Sequence, residues 1–263
     1  MTIPYLCKNT LFLKKKFITN LILLVFLNLL VKPFWIFGID RVVQNRVGAG
    51  EYGLYFSLFS LSVLLNIILD AGLTNFNNRA VSRDPERLGH YLPNGIAIKL
   101  VLAFAYTAVC LILSFVLQYD QRQFALLMIL CLNQFLSSMV MYLRSGISGL
   151  QHYTTDSLLS VLDRMLMIIL CGMVLWTGIA GTSFKIEWFA WMQTLSYGIS
   201  AVVVFVLLLA KTERIRWQAD FRSLYSILIS SLPYATLIFL MACYSRIDSV
   251  MLERMLPDGK QQA

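Results

Sequence analysis

The residues of this sequence that could do chemistry are ionisable and amide side chains set at helical spacing inside long apolar runs. Between Tyr52 and Asn77, and just beyond, Ser62, Asn66, Asp70, Thr74 and Asn78 follow at steps of four and share one helical face. Between Phe124 and Gly149, Asn133, Ser137, Arg144 and Ser148 fall within about 60° of one another on a helical wheel. Ser157, Ser160, Arg164 and Cys171 form a third such face. In the first run Asn28, Lys32, Trp35, Ile39 and Arg46 lie near one side, with Pro33 blurring the phase. Charges at bilayer depth are costly and turn toward a protein interior or a water-filled cavity. The chemistry this allows is binding of a charged solute rather than bond making. Cations (Lys32, Arg144, Arg164, with Lys99 and Arg246) outnumber acids (Asp70, Asp163, with Asp40 and Asp248) on these faces. That balance suits an anion such as a diphosphate headgroup, because charge-assisted contacts to phosphate oxygens are strong in a low dielectric. The cavity-lining candidates are Lys32, Arg41, Asn66, Asp70, Asn133, Arg144, Arg164, Arg246 and Asp248.

Blander readings stand beside this one. Ser and Asn can join neighbouring helices, and Asp70 before Gly72 can cap a local break. Arg144 can pair with Asp163 or Asp70. Lys32 can snorkel or pair, and Arg41 and Arg46 can sit at the interface. Lys99, early in its run, can snorkel back to the membrane surface.

The elements that must position these residues are membrane helices. The chain has 263 residues, of which 58% are hydrophobic and 14% charged, where a soluble domain carries about 25% charged residues. A net charge of +8 could signal nucleic acid, but the basic residues gather in loops between apolar spans, so no nucleic-acid partner is expected. Five dispersed cysteines without a CxxC pair read as small buried hydrophobes, with no disulfide or metal framework and no cofactor. The run after Lys14-Lys15-Lys16 continues through Lys32 without a small-residue cleavage site, which reads as an uncleaved first helix.

Seven spans are expected in an all-α polytopic membrane protein: Phe17 to Val43, Tyr52 to Asn77, Pro93 to Leu117, Phe124 to Gly149, a fifth after an N-cap at Thr154-Thr155-Asp156, a sixth from Trp188 to Lys211, and Leu224 to Met255. Gly48-Ala49-Gly50 makes the turn between the first two. Eleven Lys and Arg fall in residues 1–16, the loop from Arg79 to Arg87 and the segment from Lys211 to Arg222. The opposite turns hold Arg46, Arg122 and Lys185, or four with Arg41. This asymmetry places the N-terminus in the cytoplasm.

Asp40, Val42 and Arg46 recur at the same spacing as Asp248, Val250 and Arg254, each set following an apolar helix with a proline, Pro33 or Pro233. This reads as the start of a second copy of one unit. With VGAGEYGLY at 47–55, Asp70-Ala71-Gly72-Leu73, and SRIDSVMLERMLPDG at 245–259, the chain resembles the polysaccharide transporter family of the multidrug and oligosaccharidyl-lipid flippase superfamily. It is similar to O-antigen and lipid-linked oligosaccharide flippases over nearly its whole length. The resemblance implies two six-helix bundles around a V-shaped cavity, with the first and seventh helices equivalent and lining it. It divides the chain into a basic segment (1–16), a first six-helix bundle (17–211), a basic linker (212–223) and the first helix of a second bundle (224–263), which a complete member would continue. It implies alternating access to a polyprenyl-diphosphate-linked glycan, with the bilayer and the membrane machinery of glycan polymerisation as partners. It also implies the plasma membrane of a prokaryote as the location.

No Walker loop, HExxH or GxSxG is present, and His90 and His152 have no matched nucleophile, so no enzyme is expected. Two rivals remain: a cation-coupled multidrug exporter of the same superfamily, and a membrane scaffold whose polar stripes serve only helix packing. An enzyme acting on a lipid-linked sugar comes behind both.

Overall fold

The computed structural model describes residue 22, residues 24–176 and 184–212, and the backbone of 221–255, with side chains there over 222–238 and at 240 and 241. All regular structure among the described residues is helical. The first helix, α1, is continuous over 24–47. Pro33 removes a donor from it and the next seven residues, Phe34–Asp40, wind as a π-helix before α geometry returns over Arg41–Val47. This widened stretch changes which side faces the core. Val31, Trp35, Ile39 and Val43 are buried, while Lys32, Arg41 and Arg46 are exposed. The single face expected for Lys32, Trp35, Ile39 and Arg46 is therefore split, because an α-helical wheel drawn through a π segment loses phase.

The turn into the second span is Gly48 alone, at φ +87°, and Ala49 and Gly50 already belong to the next helix. That span is broken. It comprises α2 (Ala49–Leu64), α3 (Asn66–Asp70) and α4 (Leu73–Arg83), bent by 41° between its two halves. Ala71 and Gly72 at the second break both take left-handed backbone angles, φ +42° and +76°. For Ala71 this is an unusual conformation, held by the surrounding packing. A 3-10 turn, Pro85–Arg87, leads into α5 (Leu88–Val116), which starts five residues earlier than Pro93 and carries that proline inside it.

Then come α6 (Gln121–Gly149), α7 (Tyr153–Trp176), α8 (Ile186–Lys211) and α9 (Phe221–Met255). The Gln123 amide oxygen accepts from the Asp120 N–H at the start of α6, at 3.0 Å. Helix α7 begins at Tyr153, one residue before the Thr154-Thr155-Asp156 cap expected there, so Asp156 lies inside its first turn. The hub of the bundle is α6. It packs against α2, α3, α4, α5, α7 and α8, whereas α1 touches α2, α7 and α8 at one side and α9 touches α3, α4 and α5 at the other.

Among the described residues, four helices are long and apolar enough to cross a bilayer: Pro85–Val116, Gln121–Gly149, Tyr153–Trp176 and Ile186–Lys211. The bent pair Ala49–Leu64 and Asn66–Arg83 makes a fifth if read as one span. The other two expected spans, over 17–43 and 224–255, fall partly on residues or side chains outside those described. The molecule is an all-helical, multi-pass membrane protein.

Candidate functional site

The polar side chains meet along and around the hub helix in a series of nodes, several of which join three or more elements. At the level of the helix break, Lys99 from α5 is fully buried. Its ammonium donates to Asp70 Oδ1 at 2.9 Å and to Ser138 Oγ of α6 at 2.6 Å. It also lies 5.9 Å from the centre of the Tyr142 ring. Thr74 Oγ1 donates to the same Asp70 oxygen across the break. The Asp70 side chain keeps 23% exposure, whereas the Lys99 side chain has none. A buried charge is tolerated only with such partners.

Lys99 does not snorkel. Since α5 begins at Leu88, Lys99 lies about 17 Å along it, at 1.5 Å per residue, too deep for its side chain to return to that end. Tyr142, which covers the lysine, donates to the Tyr91 carbonyl at 2.9 Å and lies directly against Gly95. A Cβ at Gly95 would sit 1.8 Å from the Tyr142 oxygen, so only glycine fits there.

One turn from this node, Asn66 Nδ2 donates to Gln134 Oε1 of α6 at 2.8 Å, and the Tyr106 hydroxyl of α5 donates to the Ser62 carbonyl at 3.0 Å. Ser62, Asn66, Asp70 and Thr74 do share a face, as their spacing requires, and in this structure their hydrogen bonds run to one another and to the helices around them. Asn77, one step off that stripe, is buried and donates to Ser145 Oγ at 2.8 Å.

On the other side of α6, Asn133 is buried against α8. Its amide nitrogen donates to the Ala190 carbonyl at 3.1 Å, and its oxygen accepts from Thr194 Oγ1 at 2.6 Å. Tyr55 reaches the same cluster by donating to Gln193 Oε1 at 3.2 Å. Arg144 pairs with neither Asp163 nor Asp70. Its Nε donates to Asp156 Oδ1 at 2.9 Å and its Nη2 to the Asp156 carbonyl at 3.3 Å, which ties α6 to the first turn of α7. Arg164 lies over the Trp35 ring at 5.5 Å and 3.6 Å from Asp163, so it links α7 to α1. Asp40 accepts from the Tyr52 hydroxyl at 2.9 Å, and Arg41 donates to Gln44 at 2.9 Å on the exposed side of α1.

At the end where α2, α6 and α8 begin, Arg122 bridges all three. It donates to both Glu51 oxygens, at 2.9 and 2.6 Å, and to Glu187 Oε1 at 2.8 Å, beside a cavity of about 300 Å³ lined also by Val47, Phe184, Lys185 and Ile186. Both acids sit in the first turn of their helices, where the backbone dipole favours negative charge.

Of the residues singled out by spacing, the structure thus gathers Asn66 and Asp70 onto α6 with Lys99, sets Asn133 against α8, and gives Arg144 and Arg164 separate partners. Lys32 and Arg41 stand apart, exposed on α1. The side chains of Arg246 and Asp248 lie outside the described residues. Sequence reasoning missed Gln134, Gln193, the pairing of Asp156 with Arg144 and the Arg122 bridge. The last was signalled by an arginine in the same turn region as two glutamates that each open an apolar run. Among the described residues no cluster of three metal-ligating side chains occurs.

No curated protein and no solved structure matches the chain significantly. The family of polysaccharide biosynthesis proteins does match, over residues 17–261, from the first apolar run through α9 and nearly to the last residue. Apolar helices joined by buried polar nodes, over a match of that extent, place the chain in the polysaccharide biosynthesis protein family.

Proposed function

We propose that the protein moves a polyprenyl-diphosphate-linked oligosaccharide across the plasma membrane by alternating access, as a transporter and not an enzyme. In this reading residues 17–211 form one bundle and α9 opens a second, with the N-terminus in the cytoplasm. The observation that carries the reading is the family match over residues 17–261. The distribution of cations supports it. α1 turns Val31, Trp35, Ile39 and Val43 into the bundle and leaves Lys32 and Arg41 on the side facing away from it. A second bundle placed against that side would enclose two positive charges in a low dielectric, where a diphosphate is held most strongly. Arg144 and Arg164 retain part of their surface and would extend the basic path along α6 and α7.

The test is transport by purified protein in phospholipid vesicles carrying a polyprenyl-diphosphate sugar, read as appearance of the sugar on the opposite leaflet. The wild type is expected to transfer the lipid. Lys32→Gln with Arg41→Gln is expected to lower the rate at least tenfold without lowering the protein level. If the double variant transports normally, the cationic face of α1 does not carry the headgroup. Arg144→Gln or Arg164→Gln that accumulates normally yet fails to transport removes the scaffold reading. Efflux of cationic dyes with no movement of the lipid-linked sugar would assign the protein instead to drug export.

A further inference from the structure

Two helix defects lie directly against each other although more than 150 residues separate them in sequence. One is the Ala71–Gly72 break between α3 and α4. The other is the stretch of α9 around Pro233. A Cβ at Gly72 would stand 2.5 Å from both the Ser231 carbonyl oxygen and the Ala235 backbone nitrogen, and 2.9 Å from Tyr234 Cβ. The contact is therefore backbone against backbone, and no rotamer change on α9 could make room. Pro233 has no N–H, which leaves the Ile229 carbonyl without its helical donor at this level. A helix lacking one rung bends there more easily than elsewhere. Close by, Arg79 Nη1 of α4 donates to the Tyr234 hydroxyl at 3.2 Å. On its other side α9 is open along Pro233, Thr236, Leu237, Leu240 and Met241.

The break itself is firmly held from below. Asp70, the last residue of α3, is tied to α5 and α6 through Lys99 and Ser138, and Thr74 closes the break onto the same carboxylate oxygen. A rigid seat thus meets a bendable helix across a contact too tight to slide but well shaped to roll.

We propose that the Ala71–Gly72 break is a fulcrum on which α9 tilts against the first bundle, with the Asp70–Lys99 pair fixing the fulcrum to α5 and α6. The proposal rests on the transport reading in one respect: a tilting α9 has a purpose if it leads a second bundle that rocks against the first. Asp70 and Lys99 are positioning residues here, acting on α9 through the backbone of the break and touching no solute.

The experiment places spin labels at Arg79→Cys and at Met241→Cys, eight residues beyond Pro233 and away from the contact, in protein whose five native cysteines are replaced. The distance between them is measured in phospholipid nanodiscs, with and without polyprenyl diphosphate. A tilting α9 is expected to give two distance populations differing by about 5 Å, as a tilt of about 25° produces about 12 Å from the pivot at 1.5 Å per residue, and polyprenyl diphosphate is expected to change their ratio. In Asp70→Asn the two populations are expected to merge into one broad distribution as the seat loosens, with helix content retained by circular dichroism. A single narrow distance in all conditions, or distributions in Asp70→Asn identical to the parent, overturns the proposal. Transport is assayed on the same preparations. Protein that transports with one fixed distance refutes the fulcrum and spares the transport reading. Protein with two populations that moves no lipid-linked sugar refutes the transport reading and spares the fulcrum.

Discussion

The Asp70–Lys99 pair makes an uneven prediction about two charge-removing substitutions. Asp70→Asn leaves the Lys99 ammonium fully buried with neutral partners alone, the new amide oxygen, the Ser138 hydroxyl and the Tyr142 ring. Breaking a buried pair in this way costs about 3–5 kcal/mol, because the surviving charge has no compensation. Lys99→Met leaves the opposite situation. The Asp70 carboxylate keeps the Thr74 hydroxyl as a donor and is only partly enclosed, with 23% of its surface uncovered. Its cost is expected to be smaller, about 2 kcal/mol, between the buried and surface limits. The double variant removes both charges and puts an amide beside a thioether of similar volume. Exchanging a whole buried pair for neutral groups is often close to neutral, so it is expected to lie within about 1–2 kcal/mol of wild type. The assay is a double-mutant cycle on unfolding free energy in bicelles, all four proteins under one set of conditions. A double variant whose loss equals the sum of the singles would show that the two groups do not interact. Asp70→Asn no worse than Lys99→Met would refute the argument from unequal burial.

Gly95→Ala drives a methyl into the Tyr142 ring and should cost about 1–3 kcal/mol by overpacking, with Tyr142→Leu relieving most of it in the double variant; thermal melting of the four proteins checks this. Arg122→Ala removes a half-exposed bridge and is expected to cost only about 1 kcal/mol, shrinking further in high salt, as screened pairs do; a melt that falls by far more would mean the bridge governs assembly of that end. Asp156→Asn should mimic Arg144→Gln in both stability and transport, since each breaks the same pair; transport lost in Arg144→Gln but kept in Asp156→Asn would assign the arginine to the solute instead.

The helical, membrane-embedded character was legible from composition and apolar runs because bilayer insertion depends on little else. The phase of α1 was not. Pro33 marked a disturbance, but whether a chain answers a missing donor with a kink or with π turns depends on what packs around it, here Trp35 on Phe189 and under Arg164. Of the stripe Ser62, Asn66, Asp70, Thr74 and Asn78, the first three bond to α5 or α6 and Thr74 bonds to Asp70, but past the Ala71–Gly72 break the buried amide is Asn77 and not Asn78. What faces the stripe was not readable, because periodicity says that a side is polar and nothing about the residues opposite. Lys99 was misread through a boundary: proline inside a helix looks like a start, and a start at Pro93 brings the lysine close to the surface. Asp156 was misread by the same kind of shift. A carboxylate one turn further into α7 than a cap is no longer turned to the helix end but toward Arg144.

The position of Asn133 bears on how the protein is made. Its partners Gln193 and Thr194 lie 60 and 61 residues downstream, on a helix that inserts two spans later. At about 5–20 residues per second, the interval between them is roughly 3–12 s of synthesis. During that time an amide destined for the interior stands on the longest-waiting face of the hub helix. A nascent chain halted after α7 would hold it against lipid or against whatever cradles unfinished spans at the site of insertion. Quality control that recognises unpaired amides in the bilayer would have its clearest target in that half-made form, and would lose it the moment α8 arrives.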